Sequence, residues 1–143
     1  MAEKTFNQEF EGYWRAVNAG SLPKVSGIYA VQSCIYKKKE GTVSLKKLIY
    51  IGEAEDIHDR VLNHEKWKEW EKHLKINEEL CFNITRIESA YRERVEAALI
   101  NSNQPPLNTE YKHSFPFDKT HVNSSERYLL LKQRITVEYH IKK

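Results

Sequence analysis

The sequence predicts an α+β fold, with a small central antiparallel sheet of three strands flanked by helices and followed by a C-terminal extension. Three observations carry this. Two β-rich runs, Gly27 to Tyr36 and Val43 to Ile51, flank a lysine-rich link containing Gly41 and read as a long hairpin. Apolar residues return at helical spacing after Asp56 and again after Ser89, and Leu80 to Ile87 alternates between those stretches as a third strand. The chain has 143 residues, 40% of them apolar and 30% charged, which is enough for one folded domain with its own core.

In chain order, Phe6, Phe10, Tyr13, Trp14 and Val17 recur at three- and four-residue steps. Residues 1–24 therefore read as an N-terminal amphipathic helix and linker, closed by Gly20 and Pro23. The main domain spans residues 25–110. Its first helix runs from about Asp56 to Leu74, with the Asp56 carboxylate as N-cap. Its second runs from Ser89, read as the cap, to Asn101, with Tyr91, Val95, Ala98 and Leu99 as the buried stripe, and Pro105-Pro106 stops it. Residues 111–143 form an extension expected to pack on the same domain. Ser114 to Asp118 reads as a loop with apolar anchors, and Arg134 to Ile141 has strand composition.

Several classes are set aside by composition. No apolar run approaches the roughly 20 residues needed to cross a bilayer. Nothing behind Met1-Ala2-Glu3-Lys4-Thr5-Phe6 resembles a secretory signal, so a cytoplasmic protein without membrane contact is expected. Cys34 and Cys81 are far apart in sequence and lack CxxC spacing. They could pair, but they read as small reduced residues filling strands, and no four-ligand zinc cluster is available. The net charge of +3 permits nucleic-acid binding without arguing for it. The distribution says more: Lys37, Lys38, Lys39, Lys46 and Lys47 crowd the link between the hairpin strands, either as a solvated tip or as a phosphate clamp.

Alternation along strands places Gly27, Tyr29 and Val31 on one face, and Leu48, Tyr50 and Gly52 on one face of the partner. Paired as a hairpin, they bring two phenols to one side of the sheet. Arg60 and His64, four residues apart, share a helical face, joining a cation to a group that titrates near neutrality. Glu96 sits one step off the apolar stripe of its helix, with Arg92 four residues earlier as a surface ion-pair partner. Asn108 closes Pro-Pro-Leu-Asn, where a turn former is expected. Taken singly, each is an ordinary sheet, surface or turn residue.

Their order and spacing resemble the GIY-YIG nuclease family. Its name is spelled out as Gly27-Ile28-Tyr29 and Tyr50-Ile51-Gly52, with Arg60 on a helix eight residues after Gly52. His64 matches a histidine found in part of the family, Glu96-Ala97-Ala98-Leu99-Ile100 resembles its metal-binding glutamate and the apolar face that follows, and Asn108 matches its terminal asparagine. The resemblance covers residues 27 to 108 and leaves both ends of the chain unexplained. The twenty residues between Tyr29 and Tyr50 make a longer hairpin than the family's usual one. Such insertions cost little closure entropy, and this one carries the lysines, so it reads as a DNA-contacting loop.

The resemblance implies a DNA endonuclease with catalytic residues Tyr29, Tyr50, Arg60, His64, Glu96 and Asn108. Glu96 would hold a single Mg²⁺ (or Mn²⁺), which with one carboxylate would retain several waters. Arg60 would grip a phosphate oxygen, Tyr29 or His64 would act as base, Tyr50 would position water or phosphate, and Asn108 would pin the loop or the glutamate's helix. Glu53, Glu55 and Asp56 lie near enough in sequence to add ligands, although capping and solvation are their ordinary roles. The alternative is a DNA-binding module of the same fold without turnover. A homodimer cutting both strands fits two-fold DNA targets. Phe115, Phe117 and the run Tyr128 to Leu131 could supply its interface or could pack on the domain's own core.

Overall fold

The computed structural model describes residues 2–126 and 129–142. Two sheets and the helices between them replace the single three-stranded sheet expected. Strands β1 (Lys4–Asn7) and β2 (Phe10–Arg15) come first, followed by a 3-10 helix (Ala16–Ser21). The hairpin of β3 (Gly27–Lys37) and β4 (Thr42–Ala54) leads into helices α1 (Ile57–Leu62) and α2 (Trp67–Glu71). Strand β5 (Glu79–Arg86) precedes α3 (Ser89–Asn103), and β6 (Thr120–Asn123) and β7 (Arg134–Val137) end the chain. The central antiparallel sheet has the order β2-β5-β3-β4, and β1-β6-β7 form a second sheet with β1 parallel to β6.

The N-terminal helix is a correction. Its aromatic residues are strong strand formers as well as a helical stripe, and the open edge of β5 supplies the partner that decides between the two. Gly12, at φ +98°, lies within the register shift between Glu11 and Trp14 and lets β2 bulge along β5. Lys4–Asn7 and Phe10–Arg15 are thus built into the two sheets instead of linking to them.

The expected helix from Asp56 to Leu74 is also broken, at Asn63 to Lys66. Asp56 caps α1 as read, with its Oδ1 accepting the Asp59 N–H at 3.1 Å. The Lys66 N–H, however, donates to Nδ1 of the inward-turned His64 ring at 3.1 Å and not to a backbone carbonyl one turn back. Such local competition for the amide ends a helix. Glu88, not Ser89, holds the N-cap position of α3, and Gln104, in the left-handed region at φ 52°, ends it before Pro105.

Helix α3 buries Val95, Ala97, Ala98, Leu99 and Ile100, more than one stripe, because the central sheet covers one side and β6 and β7 cover another. That core also takes in Phe6, Phe10, Phe115, Leu129, Leu131, Ile135 and Val137. Phe115, Leu129 and Leu131 therefore pack within the chain, with Phe117 partly buried against them; Tyr128 lies outside the described residues. The C-terminal strand stops at Val137, and His140 bridges separately to Phe115. A second core on the opposite sheet face holds Tyr29, Val31, Ile49, Ile57, Val61, Trp70, Phe82 and Ile84. No helix among the described residues is long and apolar enough to cross a membrane. Cys34 and Cys81 are both buried free thiols.

Candidate active site

Gly27 and Gly52 stand where a side chain has no room. A Cβ on Gly27 would meet the Thr85 carbonyl oxygen of β5 at 2.2 Å, and one on Gly52 would meet the Tyr29 hydroxyl at 2.2 Å. Tyr29 lies opposite Gly52 in the β3–β4 register. The tyrosine of the first tripeptide thus fills the space left by the glycine of the second, and the two motifs form one packing unit. Tyr50, two residues before Gly52 on the same face, brings its ring centroid 6.3 Å from that of Tyr29.

The α1–α2 turn closes over these phenols. The His64 ring is fully buried, with centroids 6.2 Å from Tyr29, 5.4 Å from Tyr50 and 4.5 Å from Trp70. Burial, then the positive Arg60 nearby, lowers its pKa to about 4. Because Nδ1 accepts the Lys66 amide, the neutral ring carries its proton on Nε2, which has no hydrogen-bond partner. His64 in this form offers a donor to the site and not a free lone pair.

Arg60, on α1, places its positive charge near the Tyr29 phenol. Burial foremost, then Tyr50, raises the Tyr29 pKa, while Arg60 opposes the shift. The same guanidinium forks onto the Glu65 carboxylate through Nη1–Oε2 at 2.8 Å and Nη2–Oε1 at 3.1 Å. This bond, with the Glu65 backbone N–H, holds Glu65 down at about 2. An exposed carboxylate therefore occupies the donor fork that would suit a phosphodiester.

Glu96 and Asn108 meet the edge of β4 at neighbouring positions. Asn108 is buried and works like a strand partner: Oδ1 accepts the Ile51 N–H at 2.9 Å and Nδ2 donates to the Ile51 carbonyl at 2.8 Å. Glu96, on α3, lies near the Glu53 backbone of β4. Arg92 does not pair with Glu96 as the spacing suggested; it binds the Glu53 side chain and donates to Ser26 Oγ at 2.9 Å. Left without a cation, and set beside Glu53, Glu110 and Glu93, the Glu96 carboxyl is raised to about 8, with burial the largest cause. Charge on Glu96 is felt at both Tyr29 and Tyr50.

Five of the six residues singled out in the sequence, Tyr29, Tyr50, Arg60, His64 and Glu96, thus sense one another electrostatically or touch, and Asn108 supports them from behind the strand. The lysines are not gathered with them. Lys47 pairs with Ser33, four residues along β3 from Tyr29 and so about 13 Å away. Lys37 lies eight residues along, about 26 Å from Tyr29, with Lys38 and Lys39 at the exposed tip beyond it. Lys46 is exposed on β4, and Lys47 is anchored by its Nζ at 3.0 Å from His73 Nδ1.

Among the described residues, the group of three close metal-ligand side chains is Asp56, His58 and Asp59. Those atoms are already used in the α1 cap, in the His58–Asp59 bond and in ion pairs to Lys24. Glu96, a buried carboxyl with no basic partner among the described residues and influenced by Glu53, Glu93 and Glu110, has the oxygen chemistry a hard divalent cation accepts, but no three ligand atoms come together there among the described residues. No pattern in the sequence announces Glu65 on Arg60, or Glu93 and Glu110 near Glu96. A concavity of about 680 Å³ between Asn7, Asn123, Ser125 and Arg134 contains none of these residues. No protein-family model, curated protein or solved structure matches the chain.

Proposed function

We propose that this protein is a GIY-YIG-type DNA endonuclease, hydrolysing a phosphodiester bond with a single divalent cation, Mg²⁺ or Mn²⁺, held by Glu96. The observation that carries the reading is the convergence of Tyr29, Tyr50, Arg60, His64 and Glu96 from two strands, a helix, a turn and a second helix onto one spot. In this reading a phosphate displaces Glu65 from Arg60, since the guanidinium fork matches either anion. Tyr29 orients the attacking water. Its proton is tightly held, and the nearby, positively charged Arg60 is the protein group that favours the phenolate. His64, with its proton on Nε2, donates a hydrogen bond in place of serving as base, and Tyr29 would take a proton only as the phenolate that Arg60 and a bound cation favour. Tyr50 positions water or phosphate, and Asn108 keeps β4, and so Gly52, in register. A cation at Glu96 would neutralise charge building on the phosphoryl oxygens.

The test is incubation of the purified protein with supercoiled plasmid and Mg²⁺, beside Glu96→Ala and EDTA controls. Nicking or linearisation that disappears in both controls is the expected result. Cleavage that survives Glu96→Ala would contradict the site. Salt-sensitive duplex binding without cleavage under Mg²⁺ or Mn²⁺ would instead assign the chain to the non-cleaving DNA-binding module of this fold.

A further inference from the structure

Several lysines on this chain have visible occupations. Lys24 pairs with Asp59, Lys72 with Glu69 and Lys119 with Glu138, while Lys47 rests on His73. Lys66 is different. It follows the site residue His64 by two positions, and its ammonium stands 5.3 Å from the centroid of the Tyr50 ring. Its backbone N–H is fixed on His64 Nδ1, so the base of the side chain is held by the same bond that breaks the α1–α2 helix. Among the described residues no carboxylate pairs with it. Its neighbour Glu65 is turned to Arg60.

This is a cation half-buried on an aromatic face at the lip of the site, with its charge uncancelled. Cation–π contact orients such a group at a cost small enough for an anion to complete its coordination. The Arg60 charge acts on Tyr29, whereas Lys66 lies over Tyr50, further along β4 toward Lys47. A nucleic-acid strand whose scissile phosphate lies at Arg60 and Tyr29 therefore carries its next phosphate past Lys66 when it runs toward Lys47. The strand would then leave the site along the hairpin, whose tip lysines lie about eight base pairs from Tyr29 at about 3.4 Å per pair.

We infer that Lys66 is a phosphate-binding residue of this site, holding the DNA phosphate beside the scissile one on the hairpin side. The inference rests on the nuclease reading for its choice of partner, but its measurement does not need turnover. A point charge on a flexible stem suits this task, because a flanking phosphate needs charge and not bidentate geometry. Such a contact stabilises bound substrate and transition state alike.

The experiment measures affinity of the full chain for a labelled mixed-sequence DNA duplex in EDTA, across a salt series, for the unaltered protein, Lys66→Met and Lys66→Arg. With Lys66→Met the account expects Kd to rise about three- to tenfold and the log–log salt slope to fall by about 0.9, with Lys66→Arg retaining the slope. The single-turnover rate at saturating DNA in Mg²⁺ should change by less than about twofold. A disturbed fold would weaken binding without subtracting one ion from the slope, and an unchanged thermal midpoint excludes it. Unchanged Kd and slope in Lys66→Met would overturn the inference. So would a large loss of rate at unchanged Kd, which would put Lys66 on the reacting group. If the unaltered protein binds duplex but never cuts, the enzyme reading fails while the slope still decides Lys66. If it does not bind, both fail together.

Discussion

On the α3 side of the central sheet, Arg94 is 5% exposed. It donates to Thr120 Oγ1 at 2.8 Å and to the carbonyls of Ala2, Asp118 and Lys119. On the α1–α2 side, the Arg60 side chain is 40% exposed and its fork rests on one exposed carboxylate, Glu65. The first cation is enclosed by acceptors fixed in backbone that ties the N-terminus to β6. It cannot change partners without opening the second sheet. The second is held by a single side chain free to swing into water, where an ion pair contributes little, so an incoming phosphate can take its place. Burial and rigid acceptors mark structural charge, and a replaceable partner beside perturbed groups marks a place for chemistry.

The glycine–tyrosine unit should give the largest effect on this contrast. In Gly52→Ala the new methyl falls 2.2 Å from the hydroxyl of a tyrosine that is only 1% exposed. Tyr29 cannot yield without disturbing the core around it. Cleavage should drop by about a hundredfold or more, equivalent to about 3 kcal/mol, and overpacking should lower stability by about 1–3 kcal/mol. Chemical denaturation and a plasmid assay check the two. A variant that cuts normally would mean that Tyr29 need not stay in this position.

A smaller effect is set by His64. Its pKa falls from 6.5 in the unfolded chain to about 4 in the fold, chiefly through burial. Between those values the unfolded state binds more protons, so stability is full above about pH 6.5 and declines as pH falls toward 4. The loss should be on the order of 1–3 kcal/mol, since protonation also breaks the Lys66 N–H bond. Denaturation midpoints of the unaltered protein and His64→Gln across this window should diverge at neutral pH and converge toward pH 4. Parallel curves would show that His64 is not the titrating group.

The site was more legible in the sequence than the fold around it. Gly27, Tyr29, Tyr50 and Gly52 are fixed by hairpin register, which two β-rich runs reveal. Lys4–Asn7 pairs with Thr120–Asn123 across more than a hundred residues, and no local pattern announces such a partner. The aromatic stripe from Phe6 to Val17 satisfies helix and strand spacing alike, and only β5 decides it. The break at Asn63 to Lys66 depends on one ring taking one amide, a tertiary event written as an unremarkable Asn-His-Glu-Lys. That missed turn also hid Lys66 and Glu65, whose roles come from where the turn points them.

The most direct test of the contrast between the two faces is a paired measurement on Arg60→Ala and Arg94→Met. Single-turnover cleavage of end-labelled duplex in Mg²⁺ would be recorded beside the denaturation midpoint of each. The account predicts that Arg60→Ala loses about a hundredfold or more in rate with its midpoint nearly unchanged. Arg94→Met should lose about 2–4 kcal/mol of stability yet cut at close to the normal rate while folded. A fully active Arg60→Ala, or an Arg94→Met that is stable but inactive, would contradict the placement of the chemistry on the α1–α2 face.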